Sequence, residues 1–398
     1  MHMIKKLLAP CIILVISFSL CSTAVFASAQ KDAPSDEEVL PDRATEKIPT
    51  FPNDEYYNGI VIKILDSTDK DYVASSEIIQ KVRVRIKSGA AKGIEIAAEN
   101  NIPSNAKEGM ELNVNDKVIV AATYGVEGRS YYVTDLYRLP SLAMLGAVFV
   151  FFIILFGRLR GFTSLLGLLF SIGVIAIFIV PQILSGKDPL VISILGSLMI
   201  AFVSLYLAHG FNKRTTISLL STLITLGIAA VCSVVFVHFG KLFGLGTEDA
   251  LFLQINQSSD AINLRGLLLG GIIIGVMGIL DDVTTAQTAA VEEINKANPQ
   301  LSFTQLYIRG ISVGKEHISS LVNTLALAYA GVSLPLFLLF IINKGQPLWV
   351  IANGENIAEE IIRTLVGSVT LILAVPIATY LAAYFFSRRQ EKQKEIKI

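Results

Sequence analysis

Charge is scarce in this chain of 398 residues: only 17% are Asp, Glu, Lys or Arg, against 53% hydrophobic. Soluble domains of ordinary composition carry about 25% charged residues, so the shortage, with a mean hydropathy of +0.59, points to a protein of the lipid bilayer. What charge there is cancels, Lys+Arg 33 against Asp+Glu 33. Binding nucleic acid needs a basic surplus to neutralise phosphates, so no nucleic-acid partner is expected. Cysteine is nearly absent: Cys11, Cys21 and Cys232 all sit in apolar runs, with no CxxC pair and no His at metal-ligand spacing. Neither a disulfide framework nor a metal site is expected. HExxH, GxSxG, Walker A and dinucleotide-binding patterns are also missing from any suitable context. That argues against an ATP-driven pump or a motif-bearing intramembrane hydrolase, and no catalytic residue or cofactor is expected.

What is present begins with Lys5-Lys6, an apolar stretch from Leu7 to Leu20 and the small residues Ala27-Ser28-Ala29. This order is that of a secretory signal peptide over residues 1–29; an uncleaved first transmembrane helix is the alternative, the run being near the short end of a span. Residues 30–55, polar and containing Pro34, Pro41, Pro49 and Pro52, read as a flexible linker. Residues 56–139 read as a soluble β-domain. Val82, Val84 and Ile86 alternate with Arg83, Arg85 and Lys87, the period-2 pattern of a half-buried strand. Similar runs at 59–65, 93–97, 117–121 and 131–137, bounded by Gly, Asn, Asp and Ser, predict a small all-β, OB-like barrel. Oligonucleotide binding does not follow from that fold; a spacer or a module docking a protein partner fits an outward-facing domain better.

From Ser141 the chain is a series of apolar runs, with spans expected at 141–157, 162–180, 190–208, 216–238, 264–291, 318–342 and 364–386. Most approach the roughly 20 residues that cross a hydrocarbon core of about 30 Å, where only self-satisfied backbone survives, so they are read as helices. Arg158, Arg160, Lys213, Arg214, Lys296, Arg309, Lys315 and the basic tail 387–398 fall on one side, and the other side's short loops offer only Lys187, Lys241 and Lys344, with Arg265 and Arg363 at span edges. By the positive-inside rule the β-domain is extracytoplasmic and the tail cytoplasmic. The expected fold is thus a polytopic α-helical membrane protein, with about seven mature transmembrane helices in 141–386 and a small outer β-domain.

The stretch most suggestive of chemistry is 266–293. Gly266 and Gly270, then Gly271 and Gly275, lie four apart, and Gly278 continues the series; small residues at that spacing let helices pack closely in lipid. Asp281 and Asp282 follow, with no other charge between Arg265 and Glu292. A helix starting near Arg265 would place Asp281 about 24 Å along its axis. Desolvation and a like charge both oppose ionisation of a carboxylate, so such a pair suits a coupled proton relay or cation site. A juxtamembrane pair reaching the cytoplasmic headgroups is the open alternative. Thr285, a helical neighbour of Asp281, and Gln287 extend the polar character, and Asn323 in the next span is a candidate to face it. Thr285 bonding its own helix backbone, and an ordinary interhelical bond for Asn323, are the plainer readings. Asn298-Pro299 should end the helix, and Ser302 with Gln305 should form a capping box opening a short helix over 302–317.

The string MGILDDVTTAQTAAVEEI, after a Gly-rich span, resembles the YibE/F-like family of bacterial membrane proteins, with likeness from about Tyr56 to Phe386. The resemblance implies a multi-pass protein of the bacterial plasma membrane and brings no reaction with it. A weaker similarity is to exporters of the resistance-nodulation-division type, where a Gly-rich helix also carries an Asp and runs into an acidic extension. This chain has more spans, only one half-unit and a smaller outer domain. Two functions stay open: a secondary transporter or exporter, proton- or ion-coupled, using Asp281 and Asp282; or a non-enzymatic assembly protein that sits in the lipid bilayer and binds a partner through its β-domain.

Overall fold

The computed structural model describes residues 55–395 except 73–74, 90, 104–106, 126–127, 257–261, 343–344 and 346. The expected signal peptide and all but the last residue of the linker lie outside the described residues. The chain divides into two compact units between Phe152 and Ile153.

In the first unit five strands, β1 (Glu55–Tyr72), β2 (Ser75–Ile86), β3 (Glu95–Pro103), β4 (Lys117–Gly125) and β5 (Gly128–Leu136), close a barrel in the order β1-β2-β3-β5-β4. The β3–β5 pair is parallel and the others antiparallel, an OB-like arrangement. Alternation does what period-2 patterning requires: Val82, Val84 and Ile86 are buried while Arg83, Arg85 and Lys87 are exposed. They meet Val61, Val118 and Val120 in the barrel core. Register shifts in β1 between Val61 and Lys63 and between Ile64 and Asp66 bend the strand so that it can pair on both edges. Gly59 is needed where β1 crosses closest to β2, because a Cβ there would overlap Val84 Cγ1.

Two polar devices complete the barrel. Arg129 donates to Glu55 and to the Tyr57 hydroxyl (2.8 Å) and lies over the rings of Tyr57, Tyr124 and Tyr131. The Tyr57 hydroxyl, donating to Glu55, and the Arg129 guanidinium beside it hold that carboxyl below its usual range. Because the shift is downward, the anchorage is complete at neutral pH and is lost as pH falls through the lowered value; the group is exposed, so water screens it and the effect is small. The stronger device is buried. Gln80, 5% exposed, donates to the Leu112 carbonyl and accepts from the Leu112 amide, both at 2.9 Å, and accepts from Asn100. Gln80→Ala strands both backbone groups, at a cost of about 1–3 kcal/mol for each group left buried and unpaired. Hydrogen exchange of the Leu112 amide should accelerate about a hundredfold, since each 1.4 kcal/mol is a factor of ten; unchanged protection would refute the clasp.

The second unit is helical, and its first helix begins within the last residues of the first unit. Helix α1 (Leu139–Gly173) contains one non-helical residue, Arg158 (φ 50°, ψ −129°), and passes through a π-helical turn, Val174–Ile179, into α2 (Val180–Leu184). The expected spans 141–157 and 162–180 meet at that break. Gly161 sits so close to the preceding segment that a Cβ would overlap the Ile153 carbonyl oxygen. Next come α3 (Pro189–His209), capped by Asp188 on the Val191 amide, and α4 (Lys213–Phe239), capped by Asn212 on the Thr215 amide. After α5 (Glu248–Asn256), α6 (Leu264–Ala297) starts at Asn263 and ends before Asn298-Pro299. The capping box at Ser302 and Gln305 opens α7 (Phe303–Val332) as the sequence predicts. Then follow α8 (Leu334–Ile342), α9 (Leu348–Ala352) and α10 (Glu355–Glu395).

Among the described residues five helical runs are long and apolar enough to cross a membrane: Leu139–Leu184, Pro189–His209, Lys213–Phe239, Leu264–Ala297 and Glu355–Ser387. Seven were expected. Two of them fall in the first run, whose 46 residues would measure about 69 Å at 1.5 Å per residue. The expected span 318–342 is corrected: the separate helix over 302–317 does not exist, α7 runs unbroken through His317 to Val332, and the apolar stretch divides at Ser333. Pro335 accounts for the division, since it has no N–H to bond the Gly331 carbonyl four residues back and its ring crowds that carbonyl. Helix α10 extends the expected 364–386 at both ends. Its first turns are polar because Glu355 accepts the amides of Phe243, Gly244 and Leu245 at 2.6, 3.0 and 3.3 Å, and Glu359 accepts that of Gly246 at 3.0 Å. The carboxylates of α10 thereby satisfy the loop that leaves α4.

Helix α6 runs through the centre of this unit, packed against α3, α4, α7 and α10. A large apolar cluster gathers Ile272, Ile273, Met277 and Leu280 with residues of α3, α4 and α10. A second gathers Ile217, Val291, Leu306, Ala382 and Phe386.

Candidate functional site

Between these two clusters α6 turns polar. Thr284, Gln287 and Thr288 are wholly buried, yet Val283 belongs to one apolar cluster and Val291 to the other. Thr284 Oγ1 lies 2.7 Å from Thr222 Oγ1 of α4 and bonds the Leu280 carbonyl on its own helix. Gln287 Nε2 donates to the Gly310 carbonyl of α7 (2.9 Å) and to Thr379 Oγ1 of α10 (2.7 Å). One side chain thus ties three helices. It has room because α7 carries Gly310 and Gly314 four residues apart: a Cβ at Gly310 would press on Thr379 and Val291 at 2.7 and 2.8 Å, and one at Gly314 would overlap Val375 and sit 3.0 Å from Gln287 Nε2.

The two aspartates part company. Successive helical residues point about 100° apart, and only Asp281 turns inward, where Ser204 Oγ of α3 donates to its Oδ2 at 3.3 Å. Gly167 of α1 lies over that serine, a Cβ there falling 3.4 Å from Ser204 Oγ. Asp281 Oδ1 is buried and has no hydrogen-bond partner among the described residues. Asp282 is exposed. Thr285, half-buried, bonds the Asp281 and Asp282 carbonyls at 2.7 and 3.1 Å, a purely local use of its hydroxyl. Asn323 is exposed on α7 and is not brought to Asp281.

The glycine series divides too. Gly266 and Gly270 face α3, where a Cβ would lie 2.9 Å from Pro189 Cδ in the first case and 3.1 Å from Ser193 Cβ in the second. Gly271 and Gly278 have nothing within 4 Å of such a Cβ, and Gly275 meets only the Tyr329 hydroxyl at 3.8 Å. A second tight glycine seam, one that the sequence reading missed, is on α7. Its signal, Gly-Ile-Ser-Val-Gly at 310–314, is the same four-residue spacing sought in α6, and it passed unnoticed because Arg309, Lys315 and Glu316 surround it. Ser204 and Thr379 were hidden as isolated hydroxyls in apolar runs, and Thr222 among its neighbours Ser218, Ser221 and Thr225.

Several buried polar atoms in this layer lack a partner among the described residues: Asp281 Oδ1, Gln287 Oε1, Thr288 Oγ1 and Thr215 Oγ1. A buried polar network only partly satisfied is costly. Among the described residues no three His, Cys, Asp or Glu side chains gather in metal-ligating geometry.

A family model described as YibE/F-like protein matches residues 145–388, more than half of the chain. The chain belongs to the YibE/F-like family. The matched residues hold α3, α4, α6 and α7, and with them the whole polar layer; the β-barrel lies before them, so the family match is narrower than the likeness from Tyr56 read in the sequence. No curated protein and no solved structure matches the chain.

Proposed function

We propose that this YibE/F-like protein is a proton-coupled secondary transporter or exporter of the bacterial plasma membrane, with Asp281 as the group that takes up and releases the proton. The observation that carries this reading is Asp281 itself, one oxygen held by Ser204 and the other buried without a partner among the described residues, on a central helix of an apolar bundle. Ionisable groups inside membrane bundles are expensive and mark ion or proton paths. A partly satisfied network around such a group suits a site that exchanges partners when the helices rearrange. Purified protein in liposomes carrying a pH-sensitive dye, under an imposed pH gradient, tests it: wild type should pass protons and Asp281→Asn should not. If both pass them equally the reading fails, and a partner-binding role for the barrel takes its place.

The orientation that goes with this function puts the barrel outside and the α6–α7 connection in the cytoplasm, on the charge asymmetry of the loops. In a chain freed of its three cysteines, Lys87→Cys in the barrel should react with a membrane-impermeant maleimide on intact cells, whereas Gln300→Cys should react only after lysis. Both side chains are exposed, so reaction of the two from the same side would reverse the assignment.

A further inference from the structure

The polar layer does not stop at Gln287. Asp281, Thr284, Thr288 and Glu292 follow one another on α6 at steps of three, four and four, which keeps them on one face. Helix α4 runs the opposite way past that face and offers Thr222, Ser218 and Arg214 at steps of four. Both ends of the seam are fixed by contacts, Thr222 to Thr284 at 2.7 Å and Arg214 to Glu292 at 3.5 Å. Eight residues separate these contacts on each helix, so the middle rung sets Ser218 opposite Thr288. Ser218 Oγ agrees with that register, lying 3.4 Å from the Thr284 carbonyl and 3.1 Å from that of Arg214.

One hydroxyl on the middle rung, Thr288, and one beside its Arg214 end, Thr215, lack partners among the described residues. Thr288 and Thr215 are 0% and 1% exposed, and neither Oγ1 has a hydrogen-bond partner among the described residues. Valine has the same shape without the polar atom, and it occupies buried positions immediately alongside, at Val283 and Val291. Hydroxyls at 215 and 288 are therefore not explained by packing. The Arg214–Glu292 end is different: its side chains are 30% and 22% exposed, and Lys296 joins Glu292 at 3.3 Å. The seam thus runs from the half-buried Asp281, whose Oδ1 is buried, to a partly solvated ion pair eleven residues away, about 16 Å at 1.5 Å per residue.

We propose that this hydroxyl-lined α4–α6 seam is the route by which protons travel between Asp281 and the Arg214–Glu292 end, an inference that rests on the transport reading above. A hydroxyl both donates and accepts, so each carrier takes a proton on its lone pair and passes on its own. One proton leaves the Asp281 carboxyl, one reaches solvent at Glu292, and every hydroxyl ends neutral as it began. Rungs one helical turn, about 5.4 Å, apart are too far for direct transfer, and waters bonded to Thr288, Thr215 and Ser218 bridge them. The polar side chains on both helices supply the two to four partners that such waters need.

The test uses the full chain in liposomes with an entrapped pH dye. Thr288→Val, and separately Thr284→Val with Thr222→Val, should each slow proton flux at least about tenfold, while Thr288→Ser stays near wild type. Thr370→Val, which removes a buried hydroxyl of α10 bonded to its own backbone, should leave flux unchanged. Melting temperature separates conduction from folding, since loss of an unpartnered hydroxyl at 288 should not lower it. A second reading needs no flux: with Cys11, Cys21 and Cys232 replaced by Ser, Thr288→Cys should react with a small cationic thiosulfonate at least about ten times faster than Thr370→Cys. If Asp281→Asn blocks flux while the valine variants conduct as wild type, the route is overturned and the transport reading stands. If Asp281→Asn conducts as wild type, both fall. An unreactive Thr288→Cys in folded protein would also overturn the route.

Discussion

Asp281→Asn should reduce proton flux to the level of protein-free liposomes, and Asp282→Asn should retain more than half of it. The two substitutions are chemically identical and one residue apart, so the contrast isolates environment. Asparagine keeps the size of aspartate and still offers an oxygen to Ser204 Oγ, which now donates to Asp281 Oδ2 at 3.3 Å; what it loses is the ability to bind and release a proton. Folding should survive, because asparagine keeps the Ser204 bond, the one hydrogen bond of this side chain among the described residues, and leaves no charge to be desolvated. Asp282 is exposed, so neutralising it removes a nearby like charge and little else. Equal loss in the two variants would mean that the carboxylates work as one unit, as their adjacency alone suggests, and that the inward turn of Asp281 is immaterial. Full flux in Asp281→Asn would end the transport reading.

Much of the fold was legible because it depends on local patterns. Val82, Val84 and Ile86 declare a barrel strand by alternation, and the Ser302–Gln305 capping box declares the start of α7 by spacing. The β1–β2 hairpin was read short since residues 66–71 are polar at every position, leaving no alternation to follow. The last apolar run before α10 was read as one span because hydropathy ignores backbone, and Pro335 divides it. The site was only half legible. A strongly polar side chain in an apolar run announces itself, as Asp281 and Gln287 did. Which of two adjacent carboxylates points inward depends on the phase of α6 against α3, and that is set by packing over the whole helix length. Ser204, Thr222 and Thr379 each stand on a different helix, and nothing in one helix's sequence tells where another will cross it.

The same distinction between local pattern and crossing geometry decides which glycines matter. Gly310→Ala with Gly314→Ala should lower the melting temperature in detergent by about 6–12 °C, while Gly271→Ala with Gly278→Ala should leave it unchanged or raise it by a few degrees. Alanine in a helix interior gains about 0.5–1 kcal/mol over glycine wherever it fits. At 271 and 278 it meets nothing within 4 Å, so only that gain remains. At 310 the new methyl presses on Thr379 Cγ2 and Val291 Cγ2 at 2.7 and 2.8 Å, and at 314 it overlaps Val375 and crowds Gln287. Overpacking of this kind costs typically 1–3 kcal/mol per site, and the two positions share one interface, so their costs do not simply add. A net loss of about 3 kcal/mol corresponds to the stated shift for a helical unit of this size. The damage also reaches the site, since moving α7 away takes the Gly310 carbonyl from Gln287 Nε2 and leaves that side chain only Thr379. A larger loss from the α6 pair than from the α7 pair would show that the close helix seam lies on the glycine face of α6, and that Gln287 is not what the small residues of α7 make room for.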